Sequence, residues 1–94
     1  MSEQLMKQLN NELEEALTTG KSFLLWIYQN EKELLFTHVI LNDFTTEEEI
    51  KFICDNEMRI GIPLNGAKIE YDNTPDEEEY IITTNGLVYC ISII

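Results

Sequence analysis

The sequence predicts an α+β domain in the order helix, hairpin, helix, hairpin, hairpin, with one mainly antiparallel twisted sheet of five to six strands and two helices packed on it. Three observations carry that expectation. Leucines recur at every fourth position near the N-terminus, the stretch SFLLWIYQNEKELLFTHVIL places apolar arms on both sides of a short polar break, and Asn-Gly occurs twice between apolar runs. With 94 residues, 44% of them hydrophobic, the chain suffices for one core and not for two, so residues 1–94 are read as a single domain.

The first helix takes residues 2–19. Leu5, Leu9, Leu13 and Leu17, flanked by Met6 and Ala16, form one apolar stripe, with Ser2 as N-cap and Gly20 as the left-handed residue that ends the helix. The opposite side carries Glu3, Lys7, Asn10, Asn11, Glu14 and Glu15 rather than the Lys and Arg of a helix lying on a membrane, so it is read as packed on the sheet.

Residues 22–41 form the first hairpin, turned by Asn30-Glu31 or by the four residues from Gln29 to Lys32; either way Tyr28 faces Glu33. Unbroken alternation puts Phe23, Leu25, Ile27, Leu34, Phe36, His38 and Ile40 on the core face. Leu24, Trp26, Tyr28, Leu35, Val39 and Leu41 then share the other face with Ser22, Glu33 and Thr37. That face is apolar enough to need a cover.

Thr45 and Thr46 each have a glutamate three residues on, the capping-box spacing, which predicts a second helix from 45 or 46 to near 56. Ile50, Ile53, Cys54 and Met58 mark its buried side, and Phe52 falls off that stripe. Asn65-Gly66 predicts a type I′ hairpin pairing Ile62 with Ile69, Ile60 with Tyr71 and Arg59 with Asp72, Pro63 marking an edge. Asn85-Gly86 predicts a third hairpin, Thr84 against Leu87, Ile82 against Tyr89 and Tyr80 against Ile91, and the apolar run to Ile94 reads as a strand inside the sheet. With both helices on one face, the other exposes Leu24, Trp26, Leu35, Val39, Ile81 and Val88; one helix on each face, or a sheet curled into a partial barrel, are the alternatives.

Charge sets the functional expectation. Eighteen acidic against six basic residues give a net charge of -12 and a pI near 4.2. Phosphate contacts and anionic membranes both require Lys and Arg, so neither nucleic acid nor a membrane surface is the expected partner, and a basic protein is. No apolar run approaches the roughly 20 residues of a membrane span. Cys54 and Cys90 lie far apart without metal-site or redox spacing and read as small buried residues of a reducing, cytoplasmic compartment.

No catalytic motif stands out. His38, the single histidine, falls on an apolar face, and Glu31 with Glu33 is a pairing that chance supplies in so acidic a chain. The stretch from Asp72 to Asp76 has oxygens but not the framework of a calcium loop, so no metal or cofactor is implied.

The acids themselves are the candidate site: Glu47, Glu48, Glu49 and Asp55 on the expected second helix, and Asp76, Glu77, Glu78 and Glu79 before the last hairpin. Helix positions three or four apart stand about 5–6 Å apart at Cβ, near the phosphate spacing of a nucleic-acid strand, so such a face can imitate a phosphate row. The expected function is a non-enzymatic acidic inhibitor occupying the basic groove of a nuclease, a defence complex or another nucleic-acid-handling protein. An assembly module dimerising through the apolar sheet face is the second reading. In size and acidity the chain is similar to phage-encoded DNA-mimic inhibitors and to toxin-neutralising immunity proteins, and no motif carries a functional residue over.

Overall fold

The computed structural model describes residues 3–45, 49–54, 57–75 and 77–93. Helix α1 (Glu3–Thr19) precedes strands β1 (Ser22–Gln29), β2 (Lys32–Thr45), β3 (Glu49–Cys54), β4 (Arg59–Pro63), β5 (Lys68–Thr74), β6 (Glu77–Thr84) and β7 (Leu87–Ile93). All pair antiparallel in one sheet of order β4-β3-β2-β1-β7-β6-β5. This corrects the expected α+β arrangement: the described residues hold one helix and seven strands, not two helices on five or six.

The expected second helix is where the difference arises. β2 continues through Asn42, Asp43 and Phe44, and Glu49–Cys54 pairs with it on one side and with β4 on the other. As a strand the segment buries Ile50 and Phe52 completely, whereas a helix would have turned Phe52 away from its buried stripe. Full burial of an aromatic outweighs a capping box, which contributes on the order of 1 kcal/mol. Thr46, Glu47, Glu48 and Asp55 lie outside the described residues, as does Ser2.

The Asn65-Gly66 pairing is also corrected. β4 and β5 are the two edge strands and do not pair with each other, although the turn between them is closed by the Ala67 amide donating to the Leu64 carbonyl at 3.0 Å. Of its two central residues only Gly66 has a positive φ, 72°, the pattern of a type II turn, whose twist splays the flanking strands. At Asn85-Gly86 both φ values are positive, 51° and 77°, and the hairpin forms with the expected register.

That turn forces the sheet to curl. Seven strands laid flat span about 29 Å at about 4.8 Å per gap, yet Pro63 and Lys68, five residues apart, stand no more than about 18 Å from each other. The long strand β2 supplies the bend. Its register shifts leave Leu34 as an extra residue opposite β1 and Asn42 as an extra residue opposite β3, and bulges bend and twist the strand that carries them. Edge residues Ile60, Ile62 and Leu64 therefore share one core with Ala67 and Ile69 from the opposite edge.

Helix α1 covers the inner side of this curl, touching β2 and β5. Leu9 and Leu13 are wholly buried and Ala16 nearly so, with Leu5, Met6 and Leu17 packed around them. Each leucine so buried contributes about 1.5–3 kcal/mol. Gly20, at φ 73°, ends the helix as expected, its amide and that of Lys21 both donating to the Ala16 carbonyl. Across the core Phe23 and Phe52 meet edge to face, 5.5 Å between ring centroids. Among the described residues no helix is long and apolar enough to cross a membrane.

Candidate functional site

The bulge at Leu34 decides what the first hairpin shows to solvent. From the turn, Gln29 pairs with Lys32 and Tyr28 with Glu33, as expected; beyond Leu34 the register moves by one, so Ile27 meets Leu35, Trp26 meets Phe36 and Leu24 meets His38. A one-residue slip exchanges the two faces of a strand. Val39 and Leu41, expected outside, are buried; Phe36, Ile40 and His38, expected on the core face, are exposed, Phe36 at 50% and Ile40 at 46%.

The outer face of the sheet follows from the registers. One row runs Phe36, Trp26, Cys90, Ile81, Glu70; the next runs His38, Leu24, Ser92, Glu79, Asp72; the row nearest the first turn runs Glu33, Tyr28, Val88, Thr83, Lys68. Its centre is apolar, and Trp26 stacks on Phe36 with ring centroids 4.8 Å apart and planes 17° apart. Leu34, 55% exposed, extends the apolar surface at the bulge. Carboxylates border it: Glu79, Glu70 and Asp72 along β6 and β5, and Glu33 beside the turn. The Lys68 ammonium, the cation on the same rim, is held by Glu70 at 2.8 Å. The Tyr28 phenol, between the apolar centre and Glu33, is pushed up by burial first and then by Cys90, Glu33 and Glu79.

Beside Trp26, its partner across β1 and β7, Cys90 is buried as expected. Burial first, then its hydrogen bond to the Glu79 carboxylate and that group's charge, push its thiol up to about 12. It is therefore protonated and unreactive at neutral pH. Among the described residues no three His, Cys, Asp or Glu side chains gather as metal ligands.

The structure distributes the acidic candidates. Glu47, Glu48, Asp55 and Asp76 lie outside the described residues, and Glu77 is described as a β6 backbone position. Glu49 stands on the outer face of β3, 3.6 Å from Lys51, with its carboxylate over Gly61, where an added Cβ would come within 3.1 Å. The open groove beside it, lined by Glu49, Lys51, Ile53, Arg59, Ile60 and Gly61, holds about 240 Å³, below the usual range of ligand pockets, about 300–1,000 Å³. Glu78 and Glu79 are neighbours on a strand and so face opposite ways: Glu79 joins the outer rim, and Glu78 points to the helix side, within hydrogen-bonding reach of Glu12.

Two parts of this arrangement escape periodicity. The exposure of Phe36, His38 and Ile40 depends on one extra residue, for which the adjacent Leu34 and Leu35 are the only trace in the sequence. The pairing of Glu12 with Glu78 joins residues from opposite ends of the chain. No protein-family model matches the chain, and neither does any curated protein or solved structure.

Proposed function

We propose that this chain is a non-enzymatic binding protein that docks through the outer face of its sheet onto a basic protein, the apolar centre around Trp26 and Phe36 supplying the contact and the acidic rim selecting the partner. The observation that carries this reading is the apolar outer face, on which Leu34, Phe36 and Ile40 are exposed beside half-buried Leu24, Trp26, Ile81 and Val88: exposed apolar patches on a monomer mark interaction surfaces, and here the single described helix lies on the other side. Charge favours a cationic partner over a second copy, because two chains of net charge -12 repel each other when close, within the roughly 8 Å over which physiological salt leaves charge unscreened. Proteins that handle nucleic acid present such cationic surfaces, and steering by opposite charge makes association with them fast and salt-sensitive. Occupying such a surface would make the chain an inhibitor.

Capture from the native lysate tests this when paired with two variants. The expected partner is basic, is lost when salt is raised, and is lost with Trp26→Ser combined with Phe36→Ser; Glu70→Lys with Asp72→Lys weakens it by about tenfold or more, since close charge pairs contribute roughly 1.5 kcal/mol or more. Retention of the partner by the Trp26 and Phe36 variant overturns the reading. Sedimentation of the chain alone as a salt-insensitive dimer would instead support self-pairing through the same face.

A further inference from the structure

We propose that helix α1 is held by a pH-responsive clasp: the protonated carboxyl of Glu12 on the helix donates to the Glu78 carboxylate on β6 and latches the helix to the inner side of the sheet, and loss of the Glu12 proton loosens it. The seam has two rungs. Gln8 and Glu12 stand one turn apart on one face of the helix, and Tyr80 and Glu78 stand two residues apart on one face of β6. The Gln8 Nε2 donates to the Tyr80 hydroxyl at 2.9 Å, and Glu12 lies within hydrogen-bonding reach of Glu78. The repeats match, four helical residues rising about 6 Å and two strand residues about 6.6 Å. The first rung therefore sets the second.

Two carboxyl groups can hydrogen-bond to each other only when one is protonated, its O–H donating to the other's carboxylate. With both ionised, like charges face each other in a seam partly withdrawn from water. The other groups around Glu12 do not neutralise them. Glu15 comes from the helix, Tyr71 from β5 and Tyr80 from β6, and the single cation among them, Lys21, is ion-paired with Glu15 at 3.6 Å. Burial first, then Glu78 and Glu15, raise the Glu12 carboxyl above the usual glutamate range, and Lys21 offsets part of this. A raised acid holds its proton more tightly folded than unfolded. The stability it contributes is thus complete below the ordinary glutamate value and lost as pH climbs through the raised one. Leu9 and Leu13, wholly buried, keep the helix docked in either state; the clasp governs how often it opens.

Amide hydrogen exchange of α1 in the full chain, corrected for intrinsic rates and followed over about pH 4 to 8, tests the clasp. In the unaltered protein α1 protection falls with rising pH relative to that of β7. Glu12→Gln removes that fall and raises α1 protection at neutral pH, and Glu78→Gln does the same from the strand side. Glu14→Gln, which deletes the same charge from an exposed position of the same helix, leaves the fall in place. Overturning results are a pH-independent helix, a fall that persists in both the Glu12 and Glu78 variants, or one that Glu14→Gln abolishes equally, since that would assign it to general self-repulsion.

Discussion

On the inner side of β1, Phe23 and Leu25 are wholly buried, and Phe23 meets Phe52 across the core. On its outer side Trp26 stacks on Phe36, whose ring remains half open to solvent. The two sides use the same residue types, and what separates them is only what lies above each: a helix and the far wall of the curl on one, nothing described on the other. Apolar character alone therefore does not identify a core. The inner side supplies most of the stability, and the outer side keeps Phe36 and Ile40 exposed beside a half-buried apolar centre of Leu24, Trp26, Ile81 and Val88.

Substitution breaks or upholds that contrast. Phe23→Ala should cost about 3–5 kcal/mol, the usual penalty for emptying a packed aromatic site. Phe36→Ala should cost about 1 kcal/mol, the worth of an exposed aromatic stack. Urea unfolding of both variants checks the pair; equal losses would mean that the outer face belongs to the core and is not spare surface.

Tyr80 sharpens the contrast through pH. It is wholly enclosed on the inner side beside Tyr71, 4.8 Å between ring centroids, and burial pushes its phenol from 10.0 up to about 12, with the Gln8 hydrogen bond opposing and Glu12, Tyr71 and Glu78 adding to the rise. Its folded state holds the proton more tightly than the unfolded chain does. The stability Tyr80 contributes is thus intact below pH 10 and falls as pH rises from there through about 12. Tyr80→Phe should make this alkaline limb shallower in thermal melts, leaving the share due to Cys90, whose thiol is also pushed up to about 12, and those of Tyr28, Tyr71 and Tyr89, which are also raised. An unchanged limb would place the Tyr80 hydroxyl in water.

Local information carried much of this fold into the sequence. The helix from its leucine stripe to Gly20, and the β6–β7 pairing around Asn85-Gly86, rest on contacts within a few residues, and both stand where periodicity puts them. The same dipeptide at Asn65-Gly66 does not make a hairpin, because whether Asn takes a positive φ there depends on where β4 and β5 are held by β3 and β6. The segment 49–54 was ambiguous in the sequence itself: its capping box argued for a helix, and Phe52, off the helical stripe, argued for the strand that burial selects. The apolar outer face was legible as a face, with Leu24, Trp26, Ile81 and Val88 where expected. Its β2 members were not, since one extra residue at Leu34 exchanges Val39 for Ile40 without altering composition. The acidic candidates were legible as charge only, and alternation along β6 separates Glu78 from Glu79.

The first turn sets the pairing of Tyr28 with Glu33 ahead of the Leu34 bulge, and it is strained. Asn30 and Glu31 have φ of 51° and 66°, close to the 51° and 77° of Asn85 and Gly86, so the two hairpins share one turn geometry with a glutamate in one where glycine stands in the other. A non-glycine side chain in this region costs about 1–2 kcal/mol, while glycine adds about 0.5–1 kcal/mol of unfolded-state entropy to be lost. Glu31→Gly should therefore stabilise the protein by roughly 0.5 kcal/mol, read as a higher urea midpoint at an unchanged slope. Because the turn sets the pairing of Tyr28 with Glu33, the access of a soluble quencher to the fluorescence of Trp26, stacked on Phe36, should stay as it was. Glu31→Gln separates strain from charge: it removes the same negative charge from a chain of net -12 and keeps the left-handed side chain. If Gln gains as much as Gly, repulsion and not backbone strain is what the turn carries.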